Sequence, residues 1–404
     1  MSERSLRSYL LLPRPGDLVK AWIFPAGFLL GVLAAGGASG EEVLRAAVAW
    51  GALELLIYQA RYQWNDIRGF AADQRHPERA ARGRLPGPIS RGREHIRASA
   101  LVAIGRLGLV ALLAAALPLD LAGALLALAL AVFGVAALYE ALRARCTGGS
   151  EEVPPPLTKG ILAIWGVVGA GYAIRGLAGL GAAVSFDSVW LPLAAALTLW
   201  AFGIAFVTGR WALEALAFGR QDERGEIAWQ VEPGQAREHS LALVRWLPPV
   251  NQGEGRGRDG SLGRWRALRS APLSAPWNLA AVLAGSAAAA TGCLLAGPAD
   301  PFSVGLMAAG GAVCAAATVA PFHHRWPGLL GGALALLALA VLAGVQRPAL
   351  AVLPWFAVLG AHLFFGAQSP RTLAHPLRFA LASLWDRVPG SRPRRPLALP
   401  LARR

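Results

Sequence analysis

Apolar residues occupy most of the chain in long runs, and polar residues are confined to shorter stretches between them. A helix of about 20 apolar residues is long enough to span the hydrocarbon core of a bilayer. The runs are rich in Ala, Gly and Leu, as in membrane helices that pack closely together. The pattern therefore predicts an all-α fold, a polytopic membrane helix bundle. Its expected spans are 21–38, 46–64, 98–117, 121–141, 160–180, 189–208, 277–296, 303–321, 328–345 and 349–366.

The composition favours one intramembrane bundle over several soluble domains. Of the 404 residues, 55% are hydrophobic and only 16% are charged, with a mean hydropathy of +0.45. A soluble domain of this size would need more polar surface. We expect a cytoplasmic tail over 1–20, a bundle over 21–366 with long polar loops at 65–97 and 209–276, and a basic cytoplasmic tail over 367–404. The three cysteines lack the spacing of a metal site or disulfide framework.

The basic residues predict which side of the membrane each loop occupies. The formal net charge is +15, and the 39 Lys and Arg residues concentrate in the two tails and in alternate loops. Only Arg45, Arg106, Arg175 and Arg347 fall outside these segments. Positive charge of this kind collects on the cytoplasmic side, so both termini are expected there, in the inner membrane of a bacterium. Nucleic-acid binding is not expected, because the charge is divided among loops rather than gathered on one soluble face.

The second apolar run ends in WNDIRGFAAD, a polar motif at the mouth of the expected bundle. Residues seven apart lie on nearly the same face of a helix, so Asp66 and Asp73 stack two turns apart, with Asn65 beside them. Mg²⁺ takes one or two carboxylates and completes its shell with water and phosphate oxygens. The spacing therefore indicates a magnesium site that would stabilise a diphosphate leaving group. The alternative is a helix end whose acids form ion pairs with nearby arginines. The candidates for that pairing are Arg61, Arg68 and Arg75.

The segments LLPRPGDLVKAW and WNDIRGFAADQRHPERAARGRLP together resemble the UbiA superfamily of intramembrane prenyltransferases. The first signature of that family is spaced NDxxDxxxD. This chain matches at Asn65, Asp66 and Asp73 and has Gly69 in place of the middle aspartate. The resemblance implies a bundle of transmembrane helices around a central cavity open to the cytoplasmic side. The family usually has nine spans, and the ten apolar runs of this sequence depart from that number, so nine to ten transmembrane helices are expected. The resemblance also implies that Asn65, Asp66 and Asp73 are the catalytic residues and the ligands of Mg²⁺.

A second polar segment, VTGRWALEALAFGRQDERGE, follows the sixth run, where the family places residues that face the first signature. Arg210 and Glu214 share a helix face, as do Asp222 and Glu226. The second aspartate-rich box of many family members is missing from this sequence. Instead, GRWALE resembles the polyprenyl-phosphate phosphoribosyltransferase branch. The resemblance implies that Arg210, Glu214 and Asp222 bind substrate.

Further candidates lie on the fourth and fifth runs. YAIRGLAGL places Arg175 inside an apolar span, where a charge is costly and faces a cavity or a partner. Because this segment resembles the same branch, it implies that Arg175 binds phosphate; the alternative is an ion pair with Glu54, itself inside the second run. By the same resemblance, Tyr139 with Arg143 or Arg145 is expected to hold the diphosphate.

The insert over 227–276 contains a glycine-rich stretch, NQGEGRGRDGSLG, and short amphipathic segments, REHSLALVRWL and GRWRAL. The glycine-rich stretch predicts a flexible linker, because no strand precedes it to form a phosphate-binding loop. The amphipathic segments are expected either to lie on the membrane surface or to cover the cavity.

The resemblance implies an Mg²⁺-dependent membrane transferase that joins a polyprenyl (di)phosphate lipid to a small-molecule co-substrate with loss of diphosphate. GRWALE and YAIRGLAGL favour phosphoribosyl transfer from phosphoribosyl diphosphate to a polyprenyl phosphate. Prenyl transfer to an aromatic or other small acceptor and UbiA-type terpene cyclisation stay open. So does a different class, a transporter or a non-catalytic membrane scaffold. The sequence does not specify the oligomeric state.

Overall fold

The computed structural model describes residues 4–13, 17, 19–76, 79–148, 150, 152–221, 227–229, 238–247, 268, 270–320 and 325–367. Over these residues the chain is an all-α helix bundle, which confirms the predicted fold class. The helices are α1 (Leu6–Leu11), α2 (Ile23–Ala35), α3 (Gly40–Arg75), α4 (Arg79–Arg82), α5 (Gly92–Ala116), α6 (Ala122–Cys146), α7 (Lys159–Gly181), α8 (Trp190–Ala215), α9 (Glu238–Leu241), α10 (Pro276–Leu295), α11 (Pro301–Val319), α12 (Arg325–Leu342) and α13 (Pro348–Ala367).

Short elements accompany the helices. A two-stranded antiparallel pair joins β1 (Gly219–Gln221) to β2 (Ile227–Trp229). Turns of 3₁₀ helix cover Ile89–Arg91, Leu216–Phe218 and Ala242–Trp246. These elements lie in the long loops and do not change the helical architecture.

Eight of the described helices are long and apolar enough to cross a membrane by length and composition: α3, α5, α6, α7, α8, α10, α11 and α12. The chain is therefore an integral membrane protein. Two shorter apolar helices, Ile23–Ala35 and Pro348–Phe364, coincide with the first and last predicted runs. Each of the ten predicted runs thus falls on a helix, although α2, with 13 residues, is shorter than a full span.

Helix α3 is 36 residues long and carries the motif that follows the second apolar run. A capping box between Ser39 and Glu42 starts the helix. A π-helical turn over Ala52–Ile57 interrupts its regular hydrogen bonding. The helix ends at Arg75, and His76 is extended, as expected for a residue that precedes a proline.

Small residues hold the C-terminal half together. Helix α10 packs against α8, α11 and α13, and its Gly292 lies directly against the backbone of Ala351, where no Cβ would fit. Gly311 of α11 lies equally close to Ala289, so that a Cβ there would come within 2.6 Å of the alanine Cβ. Such close backbone approach is typical of helix packing in membranes.

The two ends of the bundle differ in chemistry. At one end the connections between helices are short, and Arg347 donates hydrogen bonds to the terminal carbonyls of other helices: Ala34 at 2.9 Å, Leu295 at 3.0 Å and Ala296 at 3.1 Å. The arginine thereby satisfies acceptors that a helix C-terminus leaves without intrahelical partners. We call the other end, where α3, α6 and α8 finish and α5 and α7 begin, the polar end. It is the end predicted to be cytoplasmic.

Candidate functional site

The last three turns of α3 place two acids on the buried face of the helix at the polar end. Asp66 is 1% exposed and Asp73 is 5% exposed. Both carboxylates lie beside the guanidinium of Arg84, whose nitrogens approach them to 2.8 and 3.5 Å. This shared neighbour confirms the prediction that Asp66 and Asp73 stack on one helix face.

Helix α4 and the loop that follows it fold back along α3 and place Arg82 and Arg84 beside the two acids. Gly83 and Gly87 have φ values of 59° and 125°, in the region that favours glycine. Between them, Leu85 is buried in a small apolar cluster with residues of α1 and α3. Its carbonyl also accepts a hydrogen bond of 2.8 Å from Gln74 Nε2. This anchor holds Arg84 against the acids.

Arg84 contacts all three polar side chains of the α3 motif. Its Nη1 donates to Asp66 Oδ1 at 2.8 Å, and its Nε lies 3.5 Å from Asp73 Oδ1. With the Asn65 amide turned to satisfy its neighbours, the side-chain oxygen of Asn65 also accepts from Arg84 Nη1 at 2.8 Å. Arg82 Nη1 donates to Asp73 Oδ1 at 3.0 Å.

The ion pairing offered by the sequence as an alternative is therefore present, but with different partners. Arg82 and Arg84 come from α4 and the loop after it, whereas the pairing was expected from Arg61, Arg68 or Arg75. Arg68 instead binds an acid of α6. Spacing along one helix did not reveal these partners, because the chain turns back after α3.

The acid on α6 is Glu140, a site residue that the sequence argument missed. Its Oε2 accepts from Arg68 Nε at 3.0 Å and from Arg143 Nη2 at 2.6 Å. Its Oε1 accepts from the Asn65 amide nitrogen at 3.3 Å. Glu140 is buried and links the predicted diphosphate ligand Arg143 to the α3 motif. The available signal was its position three residues before Arg143, a spacing that favours a pair on one helix face.

Helix α8 brings the second predicted segment to the same end. Glu214 Oε2 lies 3.6 Å from Arg82 Nη2, and Arg82 also contacts Asp73, so Glu214 lies near the α3 motif, while its expected role in binding substrate stays a prediction. Arg210 lies one turn earlier, with its guanidinium 5.5 Å from the centre of the Phe206 ring. Asp222 lies outside the described residues.

Tyr139 is covered by the segment 238–247. Its hydroxyl lies 3.4 Å from His239 Nε2, and the Arg143 guanidinium lies 5.9 Å from its ring centre. His239 is buried, and its carbonyl accepts a hydrogen bond of 2.8 Å from Trp165 Nε1. This amphipathic segment therefore docks into the bundle over Tyr139, which corrects the alternative of a surface-lying helix. The glycine-rich stretch 251–263 lies outside the described residues.

Arg175 belongs to a separate cluster inside the bundle. Its Nε donates to Glu54 Oε1 at 2.6 Å and its Nη2 lies 3.3 Å from Oε2. Nη2 also donates to the hydroxyl of Tyr62 at 3.2 Å, and the guanidinium stacks 3.3 Å over the ring of Tyr58. Of the two roles that the sequence left open for Arg175, the geometry contains the ion pair with Glu54. Its expected contact with phosphate stays a prediction.

A small cleft that is open to solvent lies beside the acids. It is lined by four arginines, Arg4, Arg79, Arg82 and Arg84, and by the carboxylate of Asp73. A pocket with this charge suits an anion with several oxygens, because guanidinium groups bind phosphate through paired hydrogen bonds. The large central cavity implied by the resemblance stays a prediction.

Two carboxylates and one amide are donors of the kind that Mg²⁺ takes in proteins. Among the described residues, no three His, Cys, Asp or Glu side chains are grouped to hold a metal ion. Asn65, Asp66 and Asp73 nevertheless present oxygens to one positively charged group, Arg84. Mg²⁺ needs no more protein ligands than these when phosphate and water complete its shell.

His76 directly follows the last residue of α3, next to this site. It is buried edge-on against the Phe218 ring, with 4.9 Å between ring centres. Burial, together with the positive charge of Arg82, lowers the pKa of His76 to about 4. His76 is therefore neutral at physiological pH.

The fold and the site define an integral membrane helix bundle with a buried ionic cluster at one end. Comparison of the chain with protein families, with curated proteins and with solved structures finds no match. The function is therefore inferred from the residues of the site and from the resemblance of its motifs.

Proposed function

We propose that the protein is an intramembrane, Mg²⁺-dependent transferase that cleaves a diphosphate from one substrate and joins the remaining group to another. The single observation behind this proposal is the convergence of Asn65, Asp66 and Asp73 on one cationic position beside an arginine-lined pocket. Buried ionisable groups at the end of apolar helices are costly and mark functional sites. A diphosphate next to a divalent cation needs this mixture of acidic and basic side chains.

The residues of the site have separate tasks in this proposal. Asp66 and Asp73, with Asn65, would hold the metal, and a metal bound there would supply positive charge to a diphosphate leaving group. Arg82 and Arg84 lie at the pocket and donate hydrogen bonds to diphosphate oxygens. Glu140 keeps Arg143 and Asn65 in place through its contacts of 2.6 and 3.3 Å. The lipid part of a substrate lies along the apolar helices.

The preferred subtype is phosphoribosyl transfer, on the resemblance of GRWALE and YAIRGLAGL to that branch. The bond between ribose carbon 1 and a diphosphate oxygen breaks, and the electron pair leaves with the diphosphate. An oxygen of polyprenyl phosphate forms the new bond to carbon 1. In the prenyl-transfer alternative the broken bond joins an allylic carbon to the diphosphate, and a small acceptor attacks that carbon. In a cyclase, the attacking group belongs to the same prenyl chain.

The test uses membranes that contain the protein and Mg²⁺. One reaction receives phosphoribosyl diphosphate and polyprenyl phosphate, and others receive a prenyl diphosphate with or without an aromatic acceptor. The first reaction is expected to release diphosphate and yield a phosphoribosylated lipid. Asp66→Asn should lower turnover by about 100-fold or more, since a metal ligand contributes several kcal/mol to stabilising the transition state.

Asp187→Asn is the matched control, because Asp187 is an exposed acid at the opposite end of the bundle. It should leave turnover unchanged. Full turnover in Asp66→Asn would reject the role of Asp66. Product in the prenyl reactions alone would replace the phosphoribosyl subtype.

A second candidate function is a non-catalytic scaffold. The specific observation in its favour is the balance of charge: Asp66, Asp73, Glu140 and Glu214 pair with Arg68, Arg82, Arg84 and Arg143. Ion-pair networks of this kind also serve structure alone. A scaffold would release no diphosphate in any of these reactions and would bind no divalent cation.

A further inference from the structure

The three oxygen-bearing side chains of the α3 motif share one cationic partner. Arg84 Nη1 lies 2.8 Å from Asp66 Oδ1 and 2.8 Å from the Asn65 side-chain oxygen, and Nε lies 3.5 Å from Asp73 Oδ1. The guanidinium therefore stands where the donor oxygens converge, which is the position that a metal ion would take. This is a property of the chain itself, independent of any bound ion.

We infer that Arg84 is a built-in counterion that competes with the divalent cation for the acids and leaves them when the cation binds. The inference rests on the proposed function, because it assigns a second state to the same site. It adds a regulatory contact: the loop between Gly83 and Gly87 sets how tightly the site binds metal. The cation-free protein keeps its buried acids neutralised through this loop.

Charge balance is the physical reason for the exchange. Asp66, Asp73 and Glu214 carry three negative charges, and Arg82 and Arg84, which contact them, carry two positive charges. A divalent cation added to that set would leave one unbalanced positive charge beside a pocket that Arg4 and Arg79 also line, at an electrostatic cost. Withdrawal of Arg84 lowers this cost and frees the three oxygens at once.

Arg84 is partly exposed and has space beside it. Its side chain is 19% exposed, whereas that of Asp66 is 1% exposed, so Arg84 reaches solvent and Asp66 does not. It also lines the arginine-rich pocket beside the acids. A guanidinium displaced by a cation can therefore turn into that pocket and bind an anionic group there, which couples cation binding to anion binding.

The experiment measures cation binding without turnover. Protein in lipid nanodiscs is titrated with Mn²⁺, and free Mn²⁺ is followed by electron paramagnetic resonance. Arg84→Gln should bind Mn²⁺ about tenfold more tightly than the unchanged protein, because a competing charge is removed near the acids. Arg91→Gln, an exposed arginine before α5, is the control for net charge and should bind as the unchanged protein does.

Two more variants keep the result interpretable. Asp66→Asn combined with Arg84→Gln should lose Mn²⁺ binding, which places the ion on the motif. Arg84→Lys is the substitute variant if Arg84→Gln does not fold. It replaces a guanidinium that contacts three groups with an ammonium that reaches fewer of them, so it should also bind Mn²⁺ more tightly than the unchanged protein does.

The outcomes separate the inference from the proposed function. Equal Mn²⁺ affinity in the unchanged protein and in the Arg84 variants would overturn the role of Arg84 and leave the proposed metal site standing. If neither the unchanged protein nor any variant binds Mn²⁺, both the role of Arg84 and the proposed metal site are overturned. Tighter binding in the Arg84 variants, with no diphosphate release from any substrate, would support the counterion and reject the transferase.

Discussion

Helix α3 carries two buried ionic clusters that differ in what surrounds them. Glu54 pairs with Arg175 inside the apolar part of the bundle, and both side chains are buried. Asp66 lies twelve residues further along, about 18 Å away on a helix. It pairs with Arg84, which comes from a loop and is partly exposed. One cluster is thus made by two membrane helices, and the other is completed by an arginine of the loop after α4.

The charged groups of the inner cluster already have partners within the bundle. Arg175 bonds both oxygens of Glu54, the hydroxyl of Tyr62 and the face of Tyr58. The carbonyl of Glu54, at the π-helical turn, accepts from Gln59 Nε2 at 3.1 Å. Breaking this set would leave a bare charge in a medium of low dielectric constant. We therefore assign the inner cluster a structural role, whereas the proposed transferase would use the outer cluster.

The largest expected effect concerns the inner cluster. Glu54→Gln leaves the Arg175 guanidinium buried without a counterion, so the free energy of unfolding should fall by about 3–5 kcal/mol. The measurement is unfolding in mixed micelles by denaturing detergent, with the yield of folded protein as a second readout. Asp187→Asn, an exposed acid changed in the same way, should unfold as the unchanged protein does.

The double variant Glu54→Leu with Arg175→Met tests the reason for that loss. Replacing both members of a buried pair by apolar groups is often close to neutral, so the double variant should be more stable than Glu54→Gln. If the double variant is as unstable as the single one, packing rather than the buried charge governs this position.

The outer cluster should tolerate a comparable change better. Arg82 Nη1 and Nη2 contact Asp73 and Glu214 at 3.0 and 3.6 Å, and Glu214 is 44% exposed. Arg84 remains beside Asp73 when Arg82 is changed to Gln. We therefore expect a loss of about 1–2 kcal/mol, measured by the same detergent unfolding. A loss equal to that of Glu54→Gln would remove the distinction between the two clusters.

The sequence predicted the parts of this molecule that depend on local pattern. The length of the hydrophobic runs predicted where the ten helices lie, because a helix that crosses a bilayer needs about 20 apolar residues. Helical periodicity placed Asp66 and Asp73 on one face, and the cost of a charge in lipid gave Glu54 as a partner for Arg175. Each of these inferences uses residues of one helix or a penalty that holds for any membrane protein.

The sequence did not predict contacts that depend on how chain segments turn back. Arg82 and Arg84 read as ordinary flanking charge, since nothing local shows that the loop after α4 is anchored at Leu85. Glu140 was missed, and packing buries it between Arg68 and Arg143. His239 lay in a segment with two open placements, and only its docking beside Tyr139 decides between them.

The smallest expected effect concerns pH at the outer cluster. Burial lowers the pKa of His76 to about 4 in the folded protein, whereas an unfolded histidine titrates near pH 6.5. The unfolded chain therefore binds more protons between these two values. Stability from His76 is fully present above pH 6.5 and is lost as pH falls from 6.5 toward 4.

The comparison that isolates this effect is between the unchanged protein and His76→Gln, whose side chain does not titrate. Detergent unfolding is measured at pH 7.5 and at pH 5. Between them the unchanged protein should lose about 1 kcal/mol more than the variant, an amount reduced by solvent near the helix end. Equal losses in the two proteins would mean that His76 takes up its proton without unfolding, and that the outer cluster accommodates a further positive charge.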